Sequence, residues 1–85
     1  RLPMLCELCL PFVKVGGLFL AMKGESAADE VQEAQNALRQ LGAQVERLYE
    51  YPVADAIHRV VVIRKTRPTP ARYPRPFAKI KKAPL

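Results

Sequence analysis

Cys6 and Cys9 stand in the stretch CELC, the Cys-x-x-Cys spacing with which two thiols share a zinc ion or exchange a disulfide. A structural zinc needs four ligands, and the only other candidate, His58, leaves the set one short. A thioredoxin-like pair follows a strand at a helix start, whereas these two lie inside an apolar helical stretch. They read as two buried thiols packed as small hydrophobes. Gly16 and Gly17 resemble a phosphate loop, but they precede a strand instead of following one, so they read as a turn. Lys23, in KGE, lies beyond the carboxyl end of a strand, where open α/β sheets bind ligands; it reads equally as a cation facing a ligand and as a solvated lysine. His58 and Arg59 open the last strand with no evident catalytic partner. No Ser/His/Asp set, catalytic carboxylate pair or metal cluster can be assembled.

Charge is the stronger signal. Residues 1–63 hold six basic and eight acidic side chains, whereas residues 64–85 hold eight basic and no acidic ones. A near-neutral body therefore carries a cationic strip, Arg64, Lys65, Arg67, Arg72, Arg75, Lys79, Lys81 and Lys82, which would attract nucleic acid or an anionic membrane surface. Composition alone leaves a solubilising, disordered tail equally open.

The elements that must position these residues follow from periodicity and punctuation. Leu2 to Val13 is apolar on nearly every side, with Leu5, Leu8 and Phe12 at helical spacing, and reads as a buried helix that tolerates Pro11 in its last turn. Leu18 to Met22, LFLAM, reads as a parallel strand covered on both faces. Ser26 is placed to cap the next helix, with Asp29 in a capping-box position and Glu30 behind it. Val31, Ala34, Leu38 and Leu41 form its apolar stripe, and Gly42 supplies a left-handed stop. Gln44–Tyr51 and Arg59–Lys65 read as strands, the second holding VVVI, and the link Pro52–His58 is too short for a crossover helix, so the two pair antiparallel. The order is helix, strand, helix, two antiparallel strands and a basic tail, an α/β arrangement with residues 1–65 as a partial domain and 66–85 as a Pro-rich segment.

Eighty-five residues make at most one domain with a thin stability margin. The chain opens on Arg1 and enters an apolar stretch at once, which reads as part of a longer polypeptide. No stretch approaches the roughly 20 apolar residues that span a membrane, and no signal peptide is evident, so the default location is cytoplasmic.

The stretch LCELCLPFVKVGGLFLAMKG, the hairpin and tail HRVVVIRKTRPTPARYPR, and the terminal KKAPL together resemble the carboxyl-terminal part of the glucose-inhibited division protein B family. Its members are 16S rRNA guanine-N7 methyltransferases that use S-adenosylmethionine on a Rossmann-like, class I sheet. The resemblance covers essentially the whole chain but less than half of a typical member. It implies that Leu18–Met22 is the fifth strand, that the hairpin closes the sheet, and that the spatial order is fifth, last, sixth. The Gly-rich cofactor loop, the acidic residue at the ribose and an arginine near the methyl-transfer site all lie upstream, so this chain by itself is expected to be inactive and not to bind the cofactor. PFAKIKKAPL lacks the Gly and Pro usual in that part of the family.

Guanine N7 carries a lone pair and no proton, so its methylation requires alignment and desolvation more than a general base. The contribution implied for this part of the chain is RNA placement. Arg72, Arg75, Lys79, Lys81 and Lys82 are the expected phosphate contacts, Tyr73 a stacking or anchoring ring, and Lys23 a cation near the site. The partner implied is 16S rRNA or the small ribosomal subunit, with neither membrane nor metal. A non-enzymatic RNA- or ribosome-binding α/β module is the competing reading. In either case, the apolar sheet face left open should make the isolated chain self-associate.

Overall fold

A computed structural model describes all 85 residues. The chain forms α1 (Leu2–Cys9), a 3-10 turn (Leu10–Phe12), β1 (Leu18–Lys23), α2 (Ala27–Glu33), α3 (Gln35–Leu41), β2 (Ala43–Val53), β3 (Ala56–Lys65) and α4 (Phe77–Lys82). The sheet has three strands in the order β1-β3-β2. Since β3 pairs antiparallel with both neighbours, β1 and β2 run parallel to each other without touching, as the expected order of strands requires.

The helices cover one face of this sheet. Ala21, Val61 and Ile63 point into a core completed by Leu2, Cys6 and Leu10 of the first helical segment and by Ala27, Ala34, Ala37, Leu38 and Leu41 of α2 and α3. The expectation that Leu2 to Val13 is a helix buried on nearly every side is corrected, since Leu5 and Leu8 are only half-buried. Leu2, Cys6 and Leu10 are buried at a spacing of four, and Phe12 is 79% exposed beyond Pro11, where the helix tightens into its 3-10 turn. β1 is likewise covered on one face only. Leu18, Leu20 and Met22 are exposed, aligned through the register with Arg64, Val62 and Val60 on the open side.

The helix expected from Ser26 to Leu41 is two helices, meeting at Ala34 (φ −87°, ψ 0°). The Val31 carbonyl accepts the Ala34 N–H at 3.2 Å and the Gln35 side-chain amide at 2.9 Å, so a side chain supplies what the straight backbone would have given. Ser26 makes no capping bond to the backbone; its hydroxyl donates to Glu30 Oε2 at 2.7 Å. The hairpin is tighter than Pro52–His58 implied, because Val53 pairs with Ala56 and only Ala54 and Asp55 turn. Ala54 sits at φ 53°, a conformation usually left to Gly or Asn, so nothing in the sequence marked the turn.

Gly42 ends α3 at φ 84°, as its position suggested. A β-carbon there would lie 2.5 Å from the Arg67 carbonyl oxygen, because the chain leaving β3 passes directly over the helix end. Thr66 and Arg67 donate their N–H groups to the Gly42 carbonyl at 2.8 and 3.1 Å. Gly42→Ala combines a left-handed backbone cost of about 1–2 kcal/mol with displacement of this crossing segment. Thermal unfolding should show the midpoint falling by about 10 °C, on the scale of several degrees per kcal/mol for a domain of this size. An unchanged midpoint would mean the crossing is loose.

Candidate nucleic-acid interface

The basic segment after β3 returns across the helical layer. Tyr73 is 8% exposed, and its hydroxyl donates to Gln40 Oε1 at 2.5 Å. The Thr69 hydroxyl donates to the Leu41 carbonyl at 2.6 Å, and the Asn36 side chain donates to the Leu85 carbonyl at 3.1 Å. Ile80 is fully buried and anchors α4.

The main tie is between Arg75 and Glu7. Glu7 is the single charge of α1 and has no solvent exposure. Its carboxylate accepts the Arg75 backbone N–H at 2.9 Å, Nε at 3.0 Å and Nη2 at 2.8 Å, and the same Nη2 donates to the Ala83 carbonyl at 3.0 Å. The Arg75 side-chain hydrogen bond holds the Glu7 carboxyl below its ordinary range against the opposing effect of burial, helped by the backbone bond and the guanidinium charge.

A second buried carboxylate lies at the other end of the helical layer. Glu30 takes the Lys23 ammonium at 3.1 Å, the Ser26 hydroxyl and the Leu2 N–H at 3.0 Å. Burial pushes its pKa up, but the bonds from Ser26, Lys23 and Leu2 and the Lys23 charge outweigh it and bring the value down to about 2. Lys65, also in the basic strip, is buried and donates to the Leu10 and Val13 carbonyls at 2.8 and 2.9 Å, closing the 3-10 turn against the end of β3.

The strip expected from composition is thus sorted by structure. Arg64 pairs with Glu46 at 2.6 Å, Arg67 donates to the Arg39 carbonyl, and Arg75 is spent on a carboxylate, as is Lys23 outside the strip. Tyr73 faces the core and carries Arg72 stacked 4.8 Å above its ring. Lys79, Lys81 and Lys82 are exposed on α4 and form no ion pair. The three lysines of α4 and Arg72 therefore remain without an acidic partner, on a segment held to the helical layer by Tyr73, Arg75 and Ile80. The anchoring role of Glu7 escaped sequence reading because its partner is 68 residues away.

Cys6 is buried, and burial, reinforced by the neighbouring Cys9, pushes its thiol up to about 12, so it is a packing residue in chemical behaviour. Cys9 is only half-buried, less than the sequence suggested. At the carboxyl end of β1 a shallow cavity of about 430 Å³ is lined by Gly24, Glu25, Asp55, Ala56, Ile57, His58 and Arg59. Arg59 is drawn to Glu50 and the Gly24 carbonyl, both at 3.1 Å, and His58 stacks on Tyr51 at 5.7 Å. With Glu25 and Asp55 on its wall, the cavity does not have the character of a phosphate site.

Two mutually parallel strands held apart by an antiparallel last strand, with the helices on one face, define an α/β protein. Comparison with known proteins gives the family. No family model matches. The ribosomal RNA small subunit methyltransferase G of Acetivibrio thermocellus is 50% identical over 86 residues, covering 99% of this chain and 35% of the relative. Proteins of the same name from Halalkalibacterium halodurans and Clostridium kluyveri are 46% and 42% identical, each covering all of this chain and 37% and 36% of the relative. The chain is homologous over its whole length to the carboxyl-terminal part of the ribosomal RNA small subunit methyltransferase G family, and spans little more than a third of the length of these relatives.

Proposed function

We propose that this chain is the carboxyl-terminal part of an S-adenosylmethionine-dependent methyltransferase acting on guanine N7 of 16S rRNA in the cytoplasm, where it closes the sheet and helps to place the RNA. The observation that carries this reading is the identity of 50% to the Acetivibrio thermocellus methyltransferase across 99% of the chain. Lys79, Lys81 and Lys82 on α4, with Arg72 exposed on the segment before it, support the RNA role, because exposed lysines and arginines supply affinity and register through phosphate contacts.

The residues present do not by themselves fit a cofactor cradle. The loop from β1 into α2 has a single glycine, Gly24, and the Glu30 carboxylate and the Lys23 ammonium near the start of α2 satisfy each other. Cofactor binding and alignment of the target base fall, in this reading, to the remaining two thirds of the relatives' length. This part contributes the rigid edge against which that portion folds, and a cationic helix aimed at the substrate.

The test is to incubate the full-length protein carrying this chain with methyl-labelled S-adenosylmethionine and unmethylated 16S rRNA or small subunits, then digest the RNA and identify the labelled nucleoside by mass spectrometry. The expected product is 7-methylguanosine. RNA binding without any methyl transfer would instead establish the non-enzymatic binding module, and label on another atom would overturn the guanine-N7 assignment.

A further inference from the structure

We infer that Glu7 and Arg75 act as a positioning pair that orients the lysines of α4 toward RNA phosphates, and that Arg75 is not itself a phosphate contact. The inference rests on the reading of α4 as an RNA-contacting helix.

α4 has six residues and no side-chain cap at its N-terminus, so it is too short to persist alone. Its position is fixed at three points. Glu7 binds the backbone N–H of Arg75 just ahead of the helix, the Arg75 guanidinium reaches from Glu7 to the Ala83 carbonyl at the helix end, and Ile80 is buried between them. Lys79, Lys81 and Lys82 project from the remaining faces. Lysines on a fixed helix contact a phosphate row without first having to be ordered, which removes part of the conformational cost of binding. The guanidinium that holds them already directs Nε and Nη2 at a carboxylate and a carbonyl, with its charge paired to Glu7, which leaves only Nη1 to offer a phosphate.

This arrangement reverses the sign expected from charge alone. Removing an acidic side chain close to a polyanion-binding surface should tighten RNA binding, whereas removing the group that positions the lysines should weaken it. The experiment is binding of deproteinised 16S rRNA by the full-length protein over about 50 to 200 mM KCl, a range in which phosphate contacts dominate the salt response. The protein is kept cold and its folding is checked by circular dichroism. Replacing Lys79, Lys81 and Lys82 together with alanine should make the slope of log K against log salt less negative by about 2. Glu7→Gln should weaken binding about tenfold and flatten the slope by a similar amount, and adding the lysine substitutions to it should cost little more. Arg75→Lys, which keeps the charge and a core-compatible stem, should weaken binding about threefold, and it carries the test if Glu7→Gln does not fold. Parental or tighter binding by Glu7→Gln, or unchanged binding by Arg75→Lys, while the lysine variant is weakened, would overturn the positioning role alone. An unaffected lysine variant would overturn the RNA role of α4, and the positioning role with it.

Discussion

Arg75→Ala is expected to lower the unfolding free energy of the chain by about 3 kcal/mol, the lower end of the cost of stranding a buried carboxylate. The low end applies because the Arg75 side chain keeps 24% exposure, although that of Glu7 has none. Against a total of about 5–15 kcal/mol for natural domains, and less for one this small, the loss would leave a substantial unfolded population. Removing both partners should be less damaging than removing one, so Glu7→Leu/Arg75→Leu should retain more stability than Arg75→Ala. Urea unfolding at low protein concentration measures the order. Acid should change the comparison in a fixed direction. Glu7 and Glu30 both have carboxyl pKa values depressed by folding, Glu30 to about 2 from an ordinary 4.5. Their stabilisation is complete above the unfolded value and is lost as pH falls toward the folded one, so the parent chain should weaken between about pH 4.5 and 2. Arg75→Ala should lose less over that range, because its stranded carboxylate gains from taking up a proton. A variant that unfolds at the parental urea concentration would show that water already satisfies Glu7.

The second large effect concerns association. The isolated chain is expected to form dimers or larger species as its concentration rises, through β1 and the open face beside it. Leu20 and Met22 are 55% and 63% exposed, next to Leu18, and β1 carries no charge before Lys23. As the first strand in the order β1-β3-β2, it presents a free hydrogen-bonding edge. The opposite edge is protected. β2 has a bulge between Val45 and Arg47, and its edge is broken by Pro52. Light scattering should therefore give a mass that grows with concentration, and Leu20→Lys should return it toward the monomer without disturbing the core, since position 20 faces away from the helices. A parental chain that stays monomeric at high concentration would show that the face is compatible with water.

Much of this was legible in the sequence where local signals and tertiary demand agree. Gly42 stops a helix at the expected place because only a left-handed residue fits there, and the β-branched run at Val60–Ile63 forms the central strand. Sequence reading failed where a local signal was missing or a distant partner decides. The break at Ala34 depends on a side-chain amide replacing a backbone bond, and the turn at Ala54 and Asp55 lacks the glycine that normally marks so tight a reversal. The site was legible as a cationic strip but not as a sorted one. Which of its charges are spent on the protein is settled by Glu7, Glu30 and Glu46, residues whose pairing no local pattern reveals.

The span of the Glu7 contact has a consequence for synthesis. The carboxylate emerges near the beginning of this stretch of chain, and its counter-charge follows 68 residues later, after every strand has been made. Until then α1 can bury its inner face only by enclosing an unpaired charge or by taking up a proton on Glu7, so its docking is expected to be weaker before Arg75 has been made. A product cut short after β3 would keep these three strands but lack Tyr73, Arg75 and Ile80, and should be less stable than the whole by at least the cost of stranding Glu7. Completion of the basic segment is thereby expected to add stability late in synthesis, and truncated copies should open more readily to proteolysis.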